Sequence, residues 1–366
     1  MPILLSIFYF FYFSIIGVYI IFLPKVLAMN GYMASDIGII FAAGPLVRFI
    51  VPFAFIKGLK LTIGIFRVAL VVMFLSSLSF YFSLDSFYKL LFSNIGLGVG
   101  LSLVLPYIEL IALEHIGKER YGKVRLWGSV GFILVSLLLV RVLDSGEIAL
   151  TFLLFVTLIT AIFAFLIANN AHAVSNKTEV ITNDIDLLKD WKLWIGLTLM
   201  QVGFGSFYNF FTIYETDFGI SLDMTIYLWS FGVVVEIFML FFQGKFLRNN
   251  LLFILKLTTL VTAIRWLLLF FFPQNIVVLF FSQTIHALSF ALFHSASITY
   301  LFYLYKHKTL AQQFFSGITY GFGAFLGALI AGYVYELYPS YLFLSASFIT
   351  LGSFYFLSLW SKTQNS

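Results

Sequence analysis

Apolar runs long enough to cross a hydrocarbon core of about 30 Å as helices recur from one end of this chain to the other. They lie near 4 to 27, 37 to 56, 62 to 83, 90 to 113, 124 to 143 and 148 to 168. A second set follows near 191 to 214, 224 to 247, 251 to 272, 276 to 300, 309 to 333 and 341 to 360. Water cannot be the solvent of such a chain. With 61% hydrophobic and 10% charged residues, 366 residues could form two or three domains but could not hide so much hydrocarbon. Barrel strands would alternate over about ten residues, and these continuous runs do not. The expected fold is an all-α integral membrane protein with twelve transmembrane helices in two six-helix bundles. The bundles span 1–168 and 191–366, and the polar stretch 169–190 is a cytoplasmic linker.

Orientation follows from the basic residues, because cytoplasmic loops carry the excess. With both termini inside, the inner connections hold Lys57, Lys60, Lys118, Arg120, Lys123, Lys177, Lys189, Lys245, Arg248, Lys306 and Lys308. Only Lys25, Lys89 and Arg141 fall near outer ends, where Asp85, Asp144, Glu147, Glu215, Asp217, Asp223 and Glu336 gather. The net charge of +5 is this loop asymmetry and not a nucleic-acid patch. The first span lacks a basic leader and a small-residue cleavage site, so it reads as a retained helix. The sequon Asn176-Lys177-Thr178 falls in the cytoplasmic linker and reads as incidental. With no cysteine and no paired histidines, no metal and no cofactor is expected. Glycines at 96, 98 and 100, and at 317, 321, 323 and 327, read as close helix packing.

Against this background an acid within a span needs a partner, since a charge at a helix centre costs roughly 2.5–3.5 kcal/mol on insertion scales. Glu109 lies in LPYIELIAL, residues 105–113, and Arg125 lies on the following helix. Gly117 is their midpoint, so in an antiparallel hairpin both groups stand about 12 Å from the bend and are expected to touch or share one water. Similarly, Glu236 and Arg265 flank the turn RNN, 248–250, with their midpoint between Asn250 and Leu251, and Arg265 and His286 are symmetric about Asn275. The three are expected at one depth. For Arg48 and His294 the same arithmetic finds no partner. Tyr12, Tyr19, Trp127, Phe132, Tyr208 and Asn209 are candidates for a cavity wall.

Several of these stretches resemble the major facilitator superfamily, in the branch of lactose permease and the phenylpropionate permeases. They are FYFFYFSIIGVYIIFLP, SDIGIIFAAGPLVRFIVP, PYIE and YGKVRLWGSVGF, all within about the first 135 residues. The resemblance implies that Glu109 and Arg125 bind solute and that Phe132 takes the place of the aromatic stacked on it. Helix ten resembles the coupling helix of the permease, with Gln283, His286 and Ser289 at the pattern positions; Ser289 stands where the family has a carboxylate, so Glu236 is expected to carry the proton. Other departures are the acid-free FIKGLKLTIG and Asn209 near the family's helix-seven aspartates. They argue against lactose, and WGS-x-GF points toward aromatic acids or another small solute.

The reading that results is a secondary transporter of the bacterial inner membrane, not an enzyme. Two bundles rock by alternating access around a solute bound near the midplane, with proton symport. Solute-binding residues are Glu109, Arg125, Phe132, Tyr12 and Asn209, and proton-coupling residues are Glu236, Arg265 and His286. Partners are a small solute, a proton and the lipid bilayer, and the chain acts as a monomer without nucleic acid. Proton-coupled efflux is the alternative, followed by a non-transporting assembly factor on the same fold. An intramembrane enzyme is disfavoured, because His294 and Ser295, adjacent on a helix, diverge by about 100° and cannot form a dyad.

Overall fold

The computed structural model describes residues 1–56, 61–143, 145–170, 185–248 and 250–365. Lys57, Lys60, Asp144, Lys177 and the sequon at 176–178 lie outside them. Among the described residues the secondary structure is entirely helical. The first helices are α1 Pro2–Met29, α2 Ala34–Ala54, α3 Ile63–Tyr81, α4 Phe87–Gly117, α5 Arg120–Val142 and α6 Gly146–Asn170. Next come α7 Trp191–Asp217, α8 Leu222–Arg248, α9 Leu251–Phe271, α10 Ile276–Leu304, α11 Lys308–Leu337 and α12 Pro339–Gln364. All but α7 are long and apolar enough to cross a membrane, which makes eleven candidate spans among the described residues and a multi-pass membrane protein. Most run a few residues beyond the apolar stretches, because a helix continues past the hydrocarbon until its caps or turns end it.

Helix α7 departs from the apolar pattern for a physical reason. It carries Lys192, Gln201, Asn209, Glu215, Asp217 and three glycines, yet most of its residues are buried. A helix surrounded by protein is not selected for contact with lipid, so its hydropathy falls. Glu215 illustrates the point. Counted from the sequence among the outer-end acids, it folds into the last turn of α7 with no exposed surface and no hydrogen-bond partner on either oxygen. Asp217, two residues on, accepts a 2.8 Å bond from the Tyr335 hydroxyl of α11.

Packing divides the chain into two compact units, Met1–Glu179 and Val180–Ser366. In the first, α1 lies on the α4–α5 pair and on α6, while α2 and α3 pack against α4–α5. The two halves of that pair meet at Gly117, whose φ of 71° is open to glycine at little cost. In the second unit α7 packs on α11 and α12, α9 on α10 and α12, and α8 on α10. Side-chain caps set several helix starts: Ser221 accepts from the Met224 N–H (3.2 Å), Asn250 from Phe253 (3.1 Å) and Asn275 from Val278 (3.2 Å). These caps locate α8, α9 and α10, the helices that carry Glu236, Arg265 and His286.

Hydrocarbon offers helices no hydrophobic reason to associate, so close van der Waals contact carries the packing. A Cβ on Gly98 of α4 would stand 2.9 Å from the Gly44 Cα of α2. One on Gly205 of α7 would collide with the Gly327 backbone of α11. Gly323 packs likewise on α7, whereas Gly317 and Gly321 fall in a π-helical stretch, Phe315–Phe322. Two further π-helical turns interrupt α1 at Val18–Phe22 and α10 at Ala287–Leu292.

The α7–α11 contact is testable by substitution. Gly205→Val should lower stability by about 3 kcal/mol or more, because backbone must move to admit the side chain. Gly122→Ala, at a site with nothing within 4 Å, should leave it unchanged or raise it by up to about 1 kcal/mol. Unfolding of both purified variants in detergent checks the pair, and equal melting temperatures would refute the packing argument.

Candidate functional site

The second unit brings Glu236, Arg265 and His286 together, from α8, α9 and α10. Arg265 has no exposed surface. Its Nη1 lies 3.0 Å from His286 Nδ1 and its Nη2 donates to Gln283 Oε1, also at 3.0 Å. Gln283 and His286 are three residues apart and so share one face of α10. A guanidinium can only donate, so Nδ1 accepts and the proton of a neutral imidazole sits on Nε2. That nitrogen faces Glu236 Oε2 at 3.8 Å. The imidazole therefore stands between the guanidinium and the carboxylate.

Two aromatic rings also contact the guanidinium of Arg265, whose buried Nε has no hydrogen-bond partner. Its guanidinium carbon is 4.3 Å from the Phe207 ring centroid and 4.6 Å from that of Trp266, distances at which the ring quadrupole attracts a cation. Phe290 stacks on the other component, its ring 5.6 Å from the imidazole and within 4° of parallel. Coulombic forces act strongly in such a dry environment. At 3.8 Å the contact between His286 and Glu236 exceeds hydrogen-bond length. Chemically, the arrangement is a carboxylate facing an imidazole that a buried cation holds in one tautomer.

In the first unit the expected contact between Glu109 and Arg125 takes another form. Tyr121 donates a 2.8 Å hydrogen bond to Glu109 Oε1. Twelve residues along a straight helix span about 18 Å, so this bond requires the chain reversal at Gly117. The Tyr121 ring meets Tyr9 of α1 edge-on at 6.2 Å, and the Arg125 guanidinium lies over Tyr9 at 5.5 Å and over Phe13 at 3.7 Å. Two tyrosines thus stand between the acid and the base. Both charged groups remain half-buried.

The remaining candidates are arranged differently. Tyr12 is buried and donates to the Leu101 carbonyl of α4 at 3.0 Å, so its hydroxyl serves packing. Phe132 is buried on α5, and Asn209 donates to the Gly205 carbonyl of its own helix at 2.8 Å. Tyr19 donates to Asn94 Oδ1 at 2.7 Å, while Trp127 and Arg48 are exposed. His294 bonds Tyr320 across α10 and α11, Nδ1 to Oη, at 2.8 Å.

Sequence reasoning passed over Tyr9, Phe13, Tyr121 and Asn94. Two signals were available: Tyr121 precedes Arg125 by four residues, as Tyr9 precedes Phe13, and Asn94 is a lone amide within a span. A separate cleft of about 570 Å³ opens where Asp190 and Lys192 meet Tyr305 and Trp360. There Tyr305 donates to Asp190 at 2.6 Å; burial, and then the aspartate, push its hydroxyl above the ordinary tyrosine range.

Comparison with known proteins agrees with this architecture. A model of the MFS_1 like family matches residues 3–345. The chain is 26% identical over 348 residues to a probable 3-phenylpropionic acid transporter of Escherichia coli (strain K12), covering 90% of this chain and 89% of that protein. Among crystal structures, a mutant form of the nucleoside transporter NupG superposes with a TM-score of 0.82 at 16% identity, over 98% of this chain and 99% of the other. A bacterial homolog of the human lysosomal transporter Spinster, inward-facing and occupied, gives 0.75 at 11% identity, over 99% and 96%. An all-helical chain with buried charges inside membrane helices, matched over nearly its whole length by this family, belongs to the MFS_1 like family of major facilitator superfamily transporters, which are not enzymes.

Proposed function

We propose that this protein is a secondary active transporter that takes up a small organic acid, an aromatic monocarboxylate above all, together with a proton. The observation that carries this reading is the contact chain Glu236–His286–Arg265 inside the second unit. A carboxylate near a fixed guanidinium is favoured as the anion, and one moved away from it into low dielectric is favoured as the acid. Alternating access supplies such a movement, so proton uptake and release follow the conformational cycle. The name of the phenylpropionic acid relative supports the choice of solute. Arg125, half-buried over Tyr9 and Phe13, offers the positive charge that a carboxylate requires, and Glu109 with Tyr121 orients it.

In this reading all twelve helices cross the bacterial inner membrane as two six-helix bundles, 1–168 and 191–366, joined by the 169–190 linker. Both termini are cytoplasmic, as the lysine and arginine distribution implies, and the working form is a monomer. Phe132, Tyr12 and Asn209 belong to the walls of the solute path.

Two measurements test the roles. In vesicles, Glu236→Gln should abolish accumulation driven by a pH gradient while leaving exchange between preloaded solute and medium at the wild-type rate, since exchange needs no net proton movement. Gradient-driven uptake at the normal rate would remove Glu236 from coupling.

In the first unit, Tyr121→Phe deletes one hydrogen bond to a carboxylate, an interaction of about 1.5–3 kcal/mol. Its KM should rise roughly tenfold or more with insertion unaffected, and Arg125→Ala should abolish uptake. An unchanged KM in Tyr121→Phe, or normal transport by Arg125→Ala, would refute the assignment of this group to the solute.

A further inference from the structure

Arg48 lies within α2 and is exposed, and among the described residues its side chain makes no hydrogen bond, ion pair or ring contact. A guanidinium inside a membrane helix is costly against lipid, so such groups face the bundle interior or a water-filled path and mark where ligands pass.

The face of α2 that carries Arg48 is the inner one. Ile37, Ile40 and Phe41 are buried. Gly44 continues their stripe at the spacing of three and four residues that keeps side chains on one helix face. It packs on Gly98 of α4, and a Cβ there would stand 3.5 Å from the Tyr19 hydroxyl of α1. Arg48, four residues further on, is the next member of this stripe. Ile50, about 200° around the helix from it, presents an exposed apolar side. The stripe is therefore closed by packing as far as Gly44 and open at Arg48.

The surroundings are charged in a defined way. The Arg48 guanidinium acts electrostatically on the hydroxyls of Tyr12 and Tyr19. Tyr12 is under the influence of Glu109 and Arg125 as well, so three charged side chains gather around one buried tyrosine. Two arginines and one glutamate carry a formal charge of +1. Glu109 offsets one arginine and leaves the other uncompensated, inside a protein where Coulombic forces are stronger than in water. A solute with one negative charge neutralises the group. A neutral solute leaves it charged, and a dianion overshoots.

We propose that Arg48 selects the solute by charge, joining Arg125 at the carboxylate and restricting the site to monoanions. The inference rests on the transport reading above, in which Arg125 alone meets the carboxylate, and adds a second cation to it. Neutral ring compounds and dicarboxylates are excluded on this ground. Without Arg48 the charges of Arg125 and Glu109 would cancel, and the site would lose its preference for an acid.

The test uses three probes that share one ring: 3-phenylpropionate, its neutral amide, and benzylmalonate, which carries a second carboxylate. Binding is read by calorimetric titration of the purified full-length protein in detergent, which requires neither transport nor a proton gradient. Wild type should bind the monocarboxylate roughly tenfold to a hundredfold more tightly than the amide, the range of a hydrogen bond to a charged group, and more tightly than the dianion. Arg48→Gln should weaken the monocarboxylate about tenfold or more and leave the amide unchanged. Arg48→Lys, which restores the charge, should keep most of the preference. An unchanged ratio of acid to amide in Arg48→Gln would assign the side chain to lipid headgroups and overturn the proposal while the transport reading stands. Equal loss for acid and amide would assign it to structure and overturn the proposal too. A wild type that binds the amide or the dianion as tightly as the monocarboxylate, or binds none of the three, would overturn the proposal together with the choice of solute on which it rests.

Discussion

A guanidinium with no exposed surface has to be solvated by protein, because removing an ion from water costs several kcal/mol even after relaxation. Arg265 meets most of that demand with an imidazole, an amide oxygen and two aromatic faces, drawn from α7, α9 and α10, and leaves only its Nε without a hydrogen-bond partner. These helices cannot shift independently without stripping partners from the cation. Everything else in the second-unit site is arranged around this requirement. The arginine fixes the tautomer of His286, and the protonated Nε2 then faces Glu236 at 3.8 Å.

The first unit meets the same demand by another route. Arg125 is only half-buried and lies over Phe13 and Tyr9, so rings and not a carboxylate form its main contacts. This explains part of an aromatic content of 20%. In a medium without water, phenyl and indole faces are among the few surfaces that favour a cation while remaining compatible with apolar packing. The distinction bears on function. In the proposed reading the enclosed Arg265 is the reference charge for a proton and the half-buried Arg125 the one that meets an anionic solute.

Much of the fold was legible because hydrocarbon imposes simple rules. Every backbone polar group must be satisfied within its own segment, so apolar length alone located the helices to within a few residues. Hairpin symmetry then placed Glu236, Arg265 and His286 at one level, since helical rise is constant and turns are short. The distribution of charges placed Glu215 near an outer end, where it lies, but did not reveal that it is buried. Position near the end of a run does not reveal that the last turn of α7 is packed on all sides. The symmetry argument also brought Glu109 and Arg125 to one depth without revealing the ring pair between them. Depth is a one-dimensional quantity, and it leaves the azimuth of each side chain open.

The sequence by itself determined that this chain lives in a bilayer, where its helices run, and which buried charges must find company. Those conclusions depend on composition and periodicity, which act locally along the chain. Only the tertiary structure decided which atoms meet: Arg265 with Nδ1 of His286 and not directly with an acid, Tyr121 with Glu109, and Phe290 between two histidines. Those pairings depend on helix rotation and on approach distances set by contacts such as Gly205 against Gly327. Rotation and approach arise from packing among helices distant in sequence, and no single segment encodes them.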